Sequence, residues 1–114
     1  MNNFKNLIVW EKSRQLVHSI YDLSEKLPPT EKYSFASQIT RAAVSIPANI
    51  AEGCGRATTP DYKRFLGIAL GSSYELETFL IIGKDRKWFD ESSQQSINLT
   101  NEVQKMLQAM IKRL

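Results

Sequence analysis

A nucleophile and a base are the first chemistry to seek, and the chain offers one of each, Cys54 and His18. A thiol activated by an imidazole can do covalent catalysis, but the base needs a third group to orient it. No such group is identifiable, and His18 is expected on the outer face of the first helix. Gly53-Cys54-Gly55 resembles a phosphate-cradling loop only superficially. Such a loop follows a strand and carries Lys-Ser or Lys-Thr after its glycines, and this segment has neither. A helix C-terminal cap is the better reading of it. The acidic residues show no paired-carboxylate or metal-ligand spacing. A single cysteine excludes an internal disulfide and a multi-cysteine zinc site. No catalytic residue, cofactor or metal is therefore expected.

Arg41, Ser45, Asn49, Glu52 and Arg56 recur every three or four positions and form a polar stripe along one helix. As a ligand surface, it would use the arginines on phosphates and Asn49 on a polar edge. As a structural device, it would use Ser45 and Asn49 to satisfy backbone groups disturbed by Pro47. Arg41 and Glu52 would then pair with acids or bases of other helices or subunits, such as Glu75 or Glu77. Pro47 lacks an N–H and its ring collides with the carbonyl of Ala43, at a cost of ~3 kcal/mol in a helix interior. Freed backbone groups need partners, so Ser45, Pro47, Asn49 and Glu52 are assigned structural roles. Helix two is expected to bend at Pro47 without breaking.

The net charge of +3 lies wholly in residues 32–64, where Lys32, Arg41, Arg56, Lys63 and Arg64 face only Glu52 and Asp61. A local excess of this kind is either an electrostatic footprint for phosphate backbones or a solvated face with acids of another helix nearby, since it lacks a long Lys/Arg run. Arg41, Arg56, Lys63 and Arg64 are the candidate nucleic-acid contacts. Tyr62, beside two of them, is the candidate for stacking on an unpaired base. The other aromatics mostly fall on apolar stripes and are expected in the core.

Four helices must position these groups. Leu16, Ile20, Leu23 and Leu27 mark helix one over 8–26, which Pro28 and Pro29 stop. Thr30 is expected to cap helix two, which runs over 31–52 through Phe35, Ile39, Ala42, Ile46 and Ile50. Gly53 and Gly55 end it. Thr59 is expected to cap helix three over 60–87, with Pro60 and Asp61 in its first turn. Tyr62, Phe65, Ala69, Ser73, Leu76 and Leu80 form its main stripe, and Leu66, Leu70, Tyr74 and Ile81 a second. Asp90 or Ser92 opens helix four, which shows Leu99, Val103, Met106 and Met110 at helical spacing, flanked by Leu107, Ile111 and Leu114. No segment alternates long enough for a strand. Short turns between long helices predict an all-α, antiparallel up-down-up-down bundle.

Gly67 and Gly71, four apart on helix three, cost up to ~1 kcal/mol each relative to alanine. Close packing against the Pro47 segment is the expected return. The second apolar stripe needs a second partner, and the surplus predicts self-association.

At 114 residues, 42% hydrophobic and 24% charged, the chain reads as one globular domain spanning 1–114. No unbroken apolar run is long enough to span a bilayer, and MNNFKNLIVWEKSRQ lacks a signal-peptide pattern. A cytoplasmic protein without membrane contact is the expectation.

SQITRAAVSIPANIAEGCGR at 37–56, FLGIALGSSYELET at 65–78 and the opening VWEKSRQLVHSIYDLSEKLP resemble one family over nearly the whole chain. It is the bacterial four-helix-bundle family encoded in intervening sequences of large-subunit ribosomal RNA genes, similar to the accessory variability protein of diversity-generating retroelements. The resemblance implies a helical protomer that assembles into a ring-like homopentamer. It further implies a basic surface, here Arg41, Arg56, Lys63 and Arg64, that meets RNA or DNA. A reverse transcriptase or ribosomal factor is the implied protein partner, and a protein-interaction scaffold without nucleic-acid binding is the alternative.

Overall fold

In a computed structural model, which describes residues 3–114, four long helices account for most of the chain. They are α1 (Ile8–Ser24), α2 (Phe35–Cys54), α3 (Thr59–Asp85) and α4 (Gln94–Arg113). Short 3-10 turns at Phe4–Asn6, Pro29–Glu31 and Glu91–Ser93 precede α1, α2 and α4. There is no strand among the described residues.

Each helix lies against its neighbours in chain order, and α4 returns to α1. The side-chain pairs give the directions. Phe35 meets Phe79 and Ser45 meets Ser72, so α2 and α3 run oppositely. Lys12 with Glu102 and Ser19 with Ser96 do the same for α1 and α4. Gln104 on Glu77 and Gln108 on Tyr74 do so for α3 and α4. The result is a rod 44 Å long.

The expected stripes supply most of the core, but Phe65 of α3 and Leu99, Met106 and Met110 of α4 are only half-buried, and the flanking Leu107 takes a fully buried place. Leu16 and Ile20 of α1, Ile39, Ile46 and Ile50 of α2, Leu66, Leu76 and Leu80 of α3, and Val103 and Leu107 of α4 are all fully buried. Each such side chain contributes about 1.5–3 kcal/mol. The second stripe of α3 divides: Leu66 is buried, whereas Tyr74 and Ile81 are exposed.

Helix ends differ from the sequence expectation for local reasons. Thr30 does not cap α2. The backbone at Ser34 leaves the helical region, and its hydroxyl donates to the Glu31 carboxylate at 3.1 Å, so α2 starts at Phe35. Thr58, rather than Thr59, caps α3, accepting from the Asp61 N–H at 3.3 Å. Gly55 takes a right-handed conformation after α2, and no glycine has positive φ. The left-handed residue is Lys87 (φ 63°), which ends α3 while the Trp88 N–H bonds back to the Gly83 carbonyl. Asp90 does lead into α4: its carboxylate accepts from the N–H and hydroxyl of Ser92.

Gly67 and Gly71 do not pack within the bundle; a methyl group added at either would meet nothing within 4 Å. Gly53 is the close-approach glycine between α2 and α3. A Cβ there would stand 2.9 Å from the Cβ of Phe65 and 3.3 Å from the Tyr62 carbonyl. Gly53 is therefore an internal packing residue of α2 as well as the start of its last turn.

By length and composition α3 would qualify as a membrane-crossing helix, although Glu75 and Glu77 interrupt its apolar run. Its buried stripe belongs to the core shared with the other three helices.

Candidate nucleic-acid interface

The antiparallel order brings the start of α1, the end of α2, the start of α3 and the end of α4 to one end of the rod. Arg56, Lys63 and Arg64 lie there, as the sequence pattern suggests. Lys5, Lys112 and Arg113 join them from the two ends of the chain. A groove that holds Asn6, Ile8, Met110 and Arg113 together marks where those ends meet. Against these six cations stand Glu52 and Asp61, and Glu11 in the first turn of α1 is offset by its own partner Arg14, leaving a surplus of four positive charges. At the opposite end Lys26, Lys32, Lys84, Arg86 and Lys87 are offset by Asp22, Glu25, Glu31, Asp85, Asp90 and Glu91. The rod is thus electrostatically polar along its length.

Phe65 organises the basic end. The Arg56 and Arg64 guanidiniums lie 4.6 and 4.4 Å from its ring centroid. The aromatic face attracts both cations and pre-orients their planar forks. Each is also paired with an acid one turn away, Arg56 with Glu52 at 2.5 Å and Arg64 with Asp61 at 3.3 Å. The Arg56 Nε is buried without a hydrogen-bond partner. Lys63 is exposed and has no ion pair among the described residues. Lys63, Lys112 and Arg113 are therefore the freer cations, while Arg56 and Arg64 must exchange a carboxylate for a phosphate.

Arg41 does not belong to this surface. It sits fifteen residues before Arg56, or ~22 Å along the helix, in a groove with Gln38, Ser45 and Glu75. It forms no ion pair among the described residues, and Glu77 is engaged by Gln104 instead. Glu52 pairs with Arg56, just past the end of its own helix, not across helices. Ser45 bridges to Ser72 at 2.9 Å, tying α2 to α3.

Tyr62 cannot stack on a base, because it is buried against Cys54. Burial, with the neighbouring thiol, pushes its hydroxyl up to about 12. Burial likewise raises the Cys54 thiol, the opposite of what a nucleophile needs. His18 is exposed on α1, ~15 Å along the rod from the end that holds Cys54, so the two do not meet. No cluster of metal-ligating side chains occurs among the described residues. The most exposed aromatic is Tyr33, 88% accessible, at the opposite end beside Lys32.

Lys5, Lys112 and Arg113 were missed by segment-wise charge counting, because Asp90 and Glu91 offset the last two in sequence and lie at the other end in space. Their signal was the helix count: in an even-numbered antiparallel bundle both chain ends share one end with the α2–α3 turn.

No curated protein matches the chain. Among solved structures, it is similar to a protein of unknown function from the S23 ribosomal protein family of Bacteroides thetaiotaomicron. The two share 27% identity over 92% of this chain and 99% of that one, with a TM-score of 0.86. Residues 5–109 match the family described as 23S rRNA-intervening sequence protein. With nearly the whole four-helix bundle inside that match, the chain belongs to the 23S rRNA-intervening sequence protein family.

Proposed function

We propose that this chain is a non-enzymatic, homo-oligomeric cytoplasmic protein, a pentamer by its family resemblance, that binds RNA or DNA through the basic end of the bundle. The observation that carries the reading is the gathering of Lys5, Arg56, Lys63, Arg64, Lys112 and Arg113 at one end of the rod. Neutralising phosphates with these side chains would release condensed counterions and make affinity fall steeply with salt. Binding of this kind is guided by backbone charge, with little base readout. Self-association is supported by the apolar residues α3 leaves exposed, Ile68, Tyr74, Ile81 and Ile82.

Titration of ribosomal RNA fragments and mixed-sequence controls at several salt concentrations tests the reading. Binding to both at low salt, weakening linearly on logarithmic axes, is expected. No binding at low salt by an intact oligomer overturns it.

A second reading is favoured by the Glu52 and Asp61 pairings, which already occupy two of the six cations. In it the protein is a scaffold for a reverse transcriptase or ribosomal factor. Neutralising Arg56, Lys63 and Arg64 would then leave partner capture unchanged.

A further inference from the structure

The outer faces of α2 and α3 are almost free of charge. Between Arg41 and Glu52, α2 carries none, and between Arg64 and Glu75, α3 carries none. Within this face Val44 and Ile68 are each 41% accessible. Depletion of charge around exposed aliphatic side chains is what distinguishes the core of a protein interface from ordinary surface. Gly67 and Gly71 lie on it, and nothing in the protomer makes use of their small size.

Of the four charges bounding this neutral surface, Glu52 and Arg64 are paired, whereas Arg41 and Glu75, of opposite sign, have no partner among the described residues. Arg41 and Glu75 line one groove of about 410 Å³ between α2 and α3. Neither forms an ion pair or side-chain hydrogen bond among the described residues, although Ser45 and Ser72 beside them do. A cation on α2 and an anion on α3, each left without a partner, let the α2 side of one copy meet the α3 side of another.

We propose that the α2 ridge of one copy, Arg41, Val44 and Ala48, packs against the α3 face of the next, Gly67, Gly71 and Glu75, with Arg41 pairing with Glu75 across the contact. This rests on the self-association proposed above and assigns it a surface. The glycines let the neighbouring helix come closer than the usual 8–10 Å between axes. Because the two faces differ, the contact is head-to-tail, the kind that closes into a ring when the rotation permits. The basic end of every copy then points the same way, so a ring would present several copies of it together.

Light scattering on the wild type, on Arg41→Glu and Glu75→Arg, and on the double reversal at matched micromolar concentrations tests the pairing. The wild type is expected to be oligomeric. Each single reversal places like charges together and should weaken association about tenfold or more, and the double reversal should restore it. Gly71→Leu should disperse the oligomer while leaving helix content intact, which separates lost contact from lost folding. An oligomeric wild type whose mass none of these variants changes overturns this surface and leaves self-association standing. A monomeric wild type overturns both.

Discussion

The side-chain amide of Asn49 donates to two oxygens of Ser45, one turn earlier on α2: the backbone carbonyl at 2.8 Å and the hydroxyl at 2.9 Å. Between them lies Pro47, and the helix passes through it unbroken. Asn49 thus clamps the turn that contains the proline, and Ser45 carries the clamp on to Ser72 of α3. The polar stripe of α2 is here a fastening between helices. Asn49→Ala should lower stability by about 1 kcal/mol, the net worth of a part-buried hydrogen bond, and Asn49→Asp, which lacks the donor, at least as much. Urea unfolding followed by helical circular dichroism measures both. Unchanged midpoints would mean that Pro47 is accommodated without the clamp.

The glycines of α2 and α3 should respond oppositely to alanine. At Gly53 the added carbon meets the Cβ of Phe65, which is fixed to the α3 backbone, so the helices must part. Overpacking of this kind costs about 1–3 kcal/mol, which exceeds the ~1 kcal/mol gained in helix propensity. At Gly67 and Gly71 the added methyl meets nothing in the protomer, so alanine should raise its stability by up to ~1 kcal/mol. Thermal unfolding at concentrations low enough to keep the chain dissociated gives the comparison.

The same glycines mark where sequence reasoning stopped. Helix number, the buried stripes, the Asp90 turn and the Pro60–Asp61 start of α3 were legible because each depends on residues a few positions apart. Gly53 was read as a cap and Gly67 as a packing site because a glycine's use depends on what stands opposite it, here Phe65 in one case and open space in the other. Lys87 took the left-handed position expected of a glycine because burying Phe89 against Gly83 forces the turn. The basic end was half legible: Arg56, Lys63 and Arg64 are near in sequence, whereas Lys5, Lys112 and Arg113 arrive only through the fold.

Tyr62 should make the protein sensitive to alkali. Its hydroxyl is raised from the usual 10 to about 12 by burial, with Cys54 adding to the effect. The folded state therefore disfavours the phenolate, whereas the unfolded chain ionises normally. Stability contributed by the neutral hydroxyl is full below pH 10 and is lost as pH rises towards 12. Tyr62→Phe should flatten this part of the stability–pH curve, measured as urea midpoints across the range. An equally steep loss in the variant would assign it to other groups.

The cations of the basic end should not contribute equally. Each phosphate contact adds about 0.9 to the slope of log affinity against log salt on duplex DNA and about 0.7 on single strands. Lys63, Lys112 and Arg113 have no carboxylate partner among the described residues, so Lys63→Ala and the Lys112→Ala/Arg113→Ala pair should reduce the slope by about that amount per residue. Arg56 holds Glu52 at 2.5 Å and Arg64 holds Asp61 at 3.3 Å. Removing either arginine also frees an acid at the interface, so affinity at low salt should fall further than the change in slope predicts. Lys26→Ala and Lys32→Ala, at the balanced end, should change neither quantity. Fluorescence anisotropy on one RNA hairpin at four salt concentrations separates these outcomes, and equal effects at both ends of the rod would mean that binding follows net charge alone, without using the polarity the fold creates.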